Sequence, residues 1–356
     1  MELEPVRFFQ RELEPMLDDA RTALAEFLGA DPGSVVPVTN ATHGVNTVLR
    51  SLRFEPGDEI IVTDQEYNAT RNAAEFAAAT WGARVVVAAV PFPVKSADEI
   101  ADAILNCITP RTRLAIVDHV TSQTGLIFPI KRLATEFAAR GIDLLVDGAH
   151  APGMVPLDLE KLGVPYYTGN CHKWLCAPKG AAFLYVRQDR QAQIRPLSIS
   201  HGANSPRVDR SRFLIEFGWT GTSDPSSFLS VPESIRYLGA LLSGGWSEVM
   251  ATNHALALAG RKLICDALDI ELPCPDSLIG TLASIPLPDA ADTELRQPPT
   301  FLDPLQEMAF HRERIEVPFV PWPRWPKRLV RISAQLYNSL SQYERLAAVL
   351  VRHFRG

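Results

Sequence analysis

No stretch of this chain is apolar for long enough to cross a bilayer; the longest nearly apolar segment, 85–94, is short and interrupted by prolines. The opening MELEPVRFFQRELEP is acidic and lacks the apolar core of a signal peptide, so cytoplasm is the expected location. There is no basic tract, and the net charge is -6. Nucleic acid and anionic membrane surfaces are therefore not expected partners. Cysteine is scarce, odd in number at five and without framework spacing, which predicts free thiols. Cys171, His172 and Cys176 come nearest to a metal-ligand set, but a second ligand pair is missing, and no metal is expected. The chain also has no G-x-G-x-x-G fingerprint and no internal repeat, which weighs against a dinucleotide enzyme.

What is present is a regular alternation. Its 356 residues suffice for one large and one smaller domain. Phe8, Phe9, Leu13, Met16, Leu17 and Leu24 recur at helical spacing and predict a helix over 6–29, stopped by Asp31-Pro32-Gly33. Strands are predicted at 35–38, 59–63, 84–90, 113–119, 142–147, 166–169 and 181–186. Helices are predicted between them at 43–52, 68–80, 96–107 and 130–140. Strands alternating with helices imply an α/β fold, a mostly parallel sheet covered on both faces, with ligands at the strands' carboxyl ends. After Pro232 the pattern changes to helices at 233–243 and 246–268, strand-like pieces at 278–285 and 317–320, and a last helix at 341–354. This reads as a smaller C-terminal α+β domain. The expected division is 17–231 and 232–356, with residues 1–16 packing on the smaller domain. The Pro- and Trp-rich segment 321–326 reads as a rigid packed connection, or as the border of a substrate entrance.

Asp147 ends the apolar run 142–147, and Lys173 lies just beyond the next short run. The lysine can hold an aldehyde cofactor as a Schiff base. The carboxylate can keep a pyridine nitrogen protonated, so that a ring drains electrons from a substrate's α-carbon. Together they are the minimum equipment for pyridoxal phosphate chemistry. Each also has a plain structural reading, as a turn or cap residue and as a solvated charge. The sequence Thr39-Asn40-Ala41-Thr42 stands between strand and helix and could leave amides free for a phosphate, or simply cap the helix. Tyr67 could stack on a planar ring or merely pack. His150 could meet a phenolic oxygen, His172 a phosphate, and Thr220-Gly221-Thr222 offers loop donors. Arg331, inside an apolar run, needs an anion: a substrate carboxylate or a structural acid.

The segments DQEYNA at 64–69, DGAHAPG at 147–153, GNCHKWLCAPKG at 169–180 and RISAQLYN at 331–338 resemble the class V aminotransferase family. The likeness is to fold type I pyridoxal phosphate enzymes, in their isopenicillin N epimerase-like branch. It implies that Lys173 binds the cofactor and shuttles the α-proton, and that Asp147 pairs with the ring nitrogen. Tyr67 takes the stacking place, His150 the phenolic oxygen, and Ala41, Thr42 and His172 the phosphate. Ser122 falls near the ring. Gly221 and Thr222 would reach the phosphate of a neighbouring subunit, implying a homodimer with shared active sites. Arg331 would hold the carboxylate of an amino-acid-like substrate. Relatives carry a further N-terminal segment lining the site, so the expectation here is either a start set late or a more open site. The segment 315–330 contains no cysteine, which speaks against persulfide chemistry of the desulfurase kind. The implied reactions are epimerisation first, then C–S or other β-elimination, then transamination, with a catalytically inert relative as the remaining alternative.

Overall fold

The apolar runs between residues 35 and 186 assemble into one seven-stranded sheet in the computed structural model, which describes residues 2–291 and 302–355. The strands are β1 Val35–Val38, β2 Glu59–Thr63, β3 Arg84–Ala88, β4 Thr112–Asp118, β5 Asp143–Asp147, β6 Tyr166–Asn170 and β7 Ala182–Val186. Their order is β1-β7-β6-β5-β4-β2-β3. Five of them, from β6 to β3, pair in parallel. β7 is antiparallel to both β6 and β1. The short connection 171–181 has no room for a crossover helix, so β7 must return antiparallel.

Side chains alternate cleanly across this sheet, as the period of two demands. Ala115, Val117, Leu144, Val146, Phe183 and Tyr185 join one core, under the helices Leu13–Leu28, Ala97–Leu105 and Ile130–Ala138. Leu114, Ile116, Leu145, Ala182 and Leu184 join the other, under Ala41–Ser51, Asn68–Trp81 and Arg212–Gly218. Burial on both faces explains why the strands read as continuous apolar runs.

The smaller C-terminal domain carries an antiparallel sheet, β8 Leu282–Leu287, β10 Arg328–Ser333 and β9 Phe319–Pro321, with β10 in the middle. The helices Gly245–Leu268 and Leu340–Arg355 pack on each other, and the first also packs on β8. Arg328 is fully buried on β10 and donates to Asp303 Oδ1 at 3.0 Å. The first core runs on into this region through Ile285, Val330 and Leu350. Among the described residues no helix is long and apolar enough to cross a membrane.

The structure departs from the sequence reading in a few places. The first helix runs from Pro5 to Leu28 as expected, but widens into a π-helical stretch at Phe8–Glu12. Pro15 has no amide for the Arg11 carbonyl and crowds it, which favours the wider turn. Phe9 lies edge-on to Trp219 at 5.7 Å, a residue within the span assigned to the large domain. The piece at 278–285 begins in a 3-10 turn, Asp276–Leu278, and its strand starts only at Leu282. Helices at Arg212–Gly218 and Pro304–His311 went unread, being short and weakly periodic. The 321–326 segment is the connection between β9 and β10. All five cysteines are free.

Gly44 lets the helix Ala41–Ser51 lie directly on β6: a Cβ there would sit 2.1 Å from Thr168 Oγ1. Thr168 cannot turn away without losing its hydrogen bond to the Phe183 carbonyl. Gly44→Ala should therefore destabilise the fold by about 1–3 kcal/mol, read as a lower midpoint in denaturant unfolding.

Candidate active site

β1, β2, β4, β5 and β6 all point the same way, and their carboxyl ends open on one edge of the sheet. A cavity of about 300 Å³ lies there. Each strand delivers residues to it from the turn that follows: Asn40 to Thr42 after β1, Tyr67 after β2, Asp118 and Ser122 around the end of β4. Asp147 and His150 come from β5, and Asn170, His172 and Lys173 from β6. Of the residues singled out from sequence, Ala41, Thr42, Tyr67, Ser122, Asp147, His150, His172 and Lys173 thus share one cavity.

Asp147 is 2% exposed. Its Oδ2 accepts from the Thr70 hydroxyl at 2.9 Å and its Oδ1 from the Ala149 amide at 3.0 Å. Burial raises its pKa, while Thr70, Ala149 and the charge of Lys173 pull it back. Two fixed donors and a nearby cation keep a buried carboxylate usable as an anion.

Lys173 Nζ lies 2.9 Å from His150 Nε2. Burial lowers the lysine's pKa, Asp147 and Asp118 partly restore it, and Arg331 lowers it again. His150 is held well below the ordinary histidine range by burial, then by Lys173 and Arg331. The Trp174 indole donates to His150 Nδ1 at 3.5 Å. An indole N–H can only donate, so Nδ1 holds the lone pair and the neutral ring carries its proton on Nε2. Nε2 faces Lys173 Nζ, and burial pushes that lysine toward the free amine while Asp147 and Asp118 hold it back. The geometry and the direction of the lysine's shift agree: this amine is poised as a nucleophile.

At the cavity's other side the Ala41 amide donates to Asn170 Oδ1 at 2.8 Å, and the His43 amide to Asn40 Oδ1 at 2.8 Å. Thr42 lies between these two capped amides and lines the cavity. His172 Nδ1 is buried with no partner among the described residues. An unpaired ring nitrogen beside a helix start suits an anionic oxygen. An amine for an aldehyde, a buried carboxylate for a ring nitrogen and donors for a phosphate together fit pyridoxal phosphate.

Arg331 reaches from β10 to this edge. Its Nη1 donates to the Ser122 carbonyl, and lies 3.4 Å from Ser122 Oγ. Its Nε is buried with no partner, and among the described residues no acid pairs with this arginine. A further cavity of about 490 Å³ opens beside it, toward Tyr337 and Asn338.

Gly221 and Thr222 are not brought to the cavity. Both are exposed, and Gly221 lines a separate pocket of about 140 Å³ with Thr39 and His43. The sequence reading missed Thr70, Asp118, Asn170, Trp174 and Glu66. Asp118 carried a legible signal, since 115–118 is an apolar run ended by Asp like that of β5, and the two aspartates pair in register. The others carried none, because their partners are remote in sequence.

The chain matches the aminotransferase class-V family over residues 6–287. It is 36% identical to the isopenicillin N epimerase of Amycolatopsis lactamdurans, over 97% of this chain and 87% of that one. It is 30% identical to a probable chloroplastic L-cysteine desulfhydrase of Arabidopsis thaliana, over 96% of this chain and 75% of that one. Two solved structures of the cystine C-S lyase C-DES superpose with a TM-score of 0.76 at 22% and 23% identity, covering 96% of this chain and 87% and 86% of theirs. One holds the product cysteine persulfide, and the other has glycine covalently linked to its PLP cofactor. That likeness concerns the fold. Sheet order, cavity and sequence agree: the chain belongs to the aminotransferase class-V family and is a pyridoxal 5'-phosphate-dependent enzyme.

Proposed function

We propose that the protein acts at the α-carbon of an amino acid or small peptide-like amine and inverts its configuration. Bound pyridoxal phosphate supplies an electron sink for the α-carbanion. In this reading Lys173 Nζ binds the cofactor and later moves the α-proton. Asp147 holds the ring nitrogen, and His150 offers Nε2–H to the phenolic oxygen. Tyr67 covers the ring face, with Ser122 at its edge. Thr42 and His172 take the phosphate, with Ala41, its amide held by Asn170, lining the same place, and Arg331 takes the substrate carboxylate through the donors it does not spend on Ser122.

The observation that carries α-carbon chemistry is the Lys173 amine, 2.9 Å from His150 in the cavity that also holds buried Asp147. What favours epimerisation is 36% identity to an isopenicillin N epimerase across 97% of the chain. The 30% identity to a probable L-cysteine desulfhydrase favours a second reading, β-elimination with release of a thiol. Transamination ranks third, and an inert cofactor-fold protein last. The exposure of Gly221 and Thr222 suits a homodimer in which they meet the phosphate of the other copy's site.

The deciding experiment is α-proton exchange in heavy water, followed by NMR on the purified holoenzyme with L- and D-amino acids and small peptides. Exchange with inversion is expected, and Lys173→Ala should abolish it. Keto acid with released thiol would replace epimerisation by elimination, and no exchange at all would leave the inert reading. Arg331→Ala should raise KM for carboxylate substrates by about 2 kcal/mol or more, roughly thirtyfold, with amide analogues little affected. Capture of pyridoxal phosphate by the apoprotein, timed by absorbance, should speed up as pH rises and level off below the 10.5 of an ordinary lysine. Burial and Arg331 both favour the free amine, so Arg331→Ala should move that midpoint upward.

A further inference from the structure

Two buried acids next to Asp147 have no part in the reading above. Glu66 sits in the turn after β2, and Asp118 ends β4 in register with Asp147. They are 6% and 3% exposed, and carboxylate oxygens of the three acids all lie within 4.8 Å of one another. The cations around them are few. Lys173 faces Asp118 and Asp147, and Arg71 faces Glu66 but commits its Nε to Glu75 at 2.7 Å. Three ionised carboxylates at this spacing in a buried wall repel too strongly to coexist. A second observation concerns hydrogen bonds. Among the described residues, both oxygens of Glu66 and Oδ2 of Asp118 are buried without a hydrogen-bond donor, a condition proteins generally avoid. Asp118 is also met by the Tyr67 backbone amide. A single proton between the two acids removes one charge and pairs one oxygen of Glu66 with Oδ2 of Asp118.

We propose that Glu66 carries a proton and donates it to Asp118 Oδ2, so that the two acids form one singly charged pair beside Asp147. Glu66 is pushed well above the carboxylate range by burial, then by Asp118 and Asp147. Asp118 is raised too, but it faces Lys173 and the Tyr67 amide, whereas the Arg71 that faces Glu66 is committed to Glu75, so the negative charge is better held on Asp118 and the proton on Glu66. The pair is a positioning device. It limits the negative charge near Asp147, so that Asp147 itself stays ionised with its Thr70 and Ala149 donors. Its one remaining charge faces the cavity through Asp118. That consequence rests on the proposed role of Asp147 at the ring nitrogen; the shared proton does not.

The test has two arms. In the apoprotein at neutral pH, infrared spectroscopy should show the carbonyl band of a buried protonated carboxyl, and Glu66→Gln should remove it. No such band, or its survival in Glu66→Gln, would overturn the proposal. In the holoenzyme, the pH midpoint of the cofactor's visible band is compared in wild type, Glu66→Gln, Asp118→Asn and the double variant. With a shared proton, either single amide leaves one charge behind, because the remaining acid ionises. Each single should move the midpoint by less than about 0.3 unit, and the double should lower it by about one unit. Additive shifts from the singles would mean two independent charges and would sink the pair. A protein that shows the infrared band but never acquires a cofactor band would count against the proposed function and leave the shared proton standing. Stabilisation of the apoprotein by millimolar magnesium or manganese, with loss of the infrared band, would replace the proton with a metal ion.

Discussion

The cost of keeping Asp147 charged inside the protein shapes this structure. Moving a carboxylate out of water costs on the order of several kcal/mol, and only fixed donors and an opposing charge offset it. The chain supplies these from different elements. Thr70 comes from the helix after β2, the Ala149 amide from the turn after β5, and the cation from Lys173 after β6. Each partner is held by the packing of its own element, so the parallel sheet is what makes a buried anion tolerable. The sheet also sets where that anion faces, since β4, β5 and β6 end together on one edge.

The same desolvation acts on the lysine in the opposite sense. Burial favours the neutral acid at Asp147 and the free amine at Lys173, while their mutual attraction restrains both. His150, kept neutral by burial and met by Trp174 at Nδ1, turns Nε2 to the amine without adding charge. The result is a cavity whose groups are reactive because none is comfortably solvated. Perturbed groups of this kind concentrate where chemistry is done.

The smaller domain enters this arrangement chiefly through β10. β10 projects Arg331 across to the Ser122 turn of the large domain, where it holds a backbone carbonyl instead of a carboxylate. A guanidinium with an unspent buried N–H is an open demand for an anion. Ser284 on β8 fastens the same turn by donating to the Gln123 carbonyl. The smaller domain therefore meets the large one at the turn that borders the cavity.

Much of this was legible from sequence. The apolar runs, their helical spacers and the polar residues at their ends reveal the parallel sheet and Asp147, Lys173, His150, Tyr67 and His172, because these lie in or beside the elements that position them. Strand direction at β7 and the π-helical stretch in the first helix follow from loop length and from Pro15, once neighbours are known. What only the tertiary structure decided is partnership. Asp147 with Thr70 spans 77 positions, Ala41 with Asn170 129, and Arg331 with Ser122 209. Such pairs leave no periodic trace, since each residue alone suits a cap, a turn or a solvated surface. Sequence determined which chemical groups stand at the strand ends; folding decided which of them share a cavity, and burial there decided their charge.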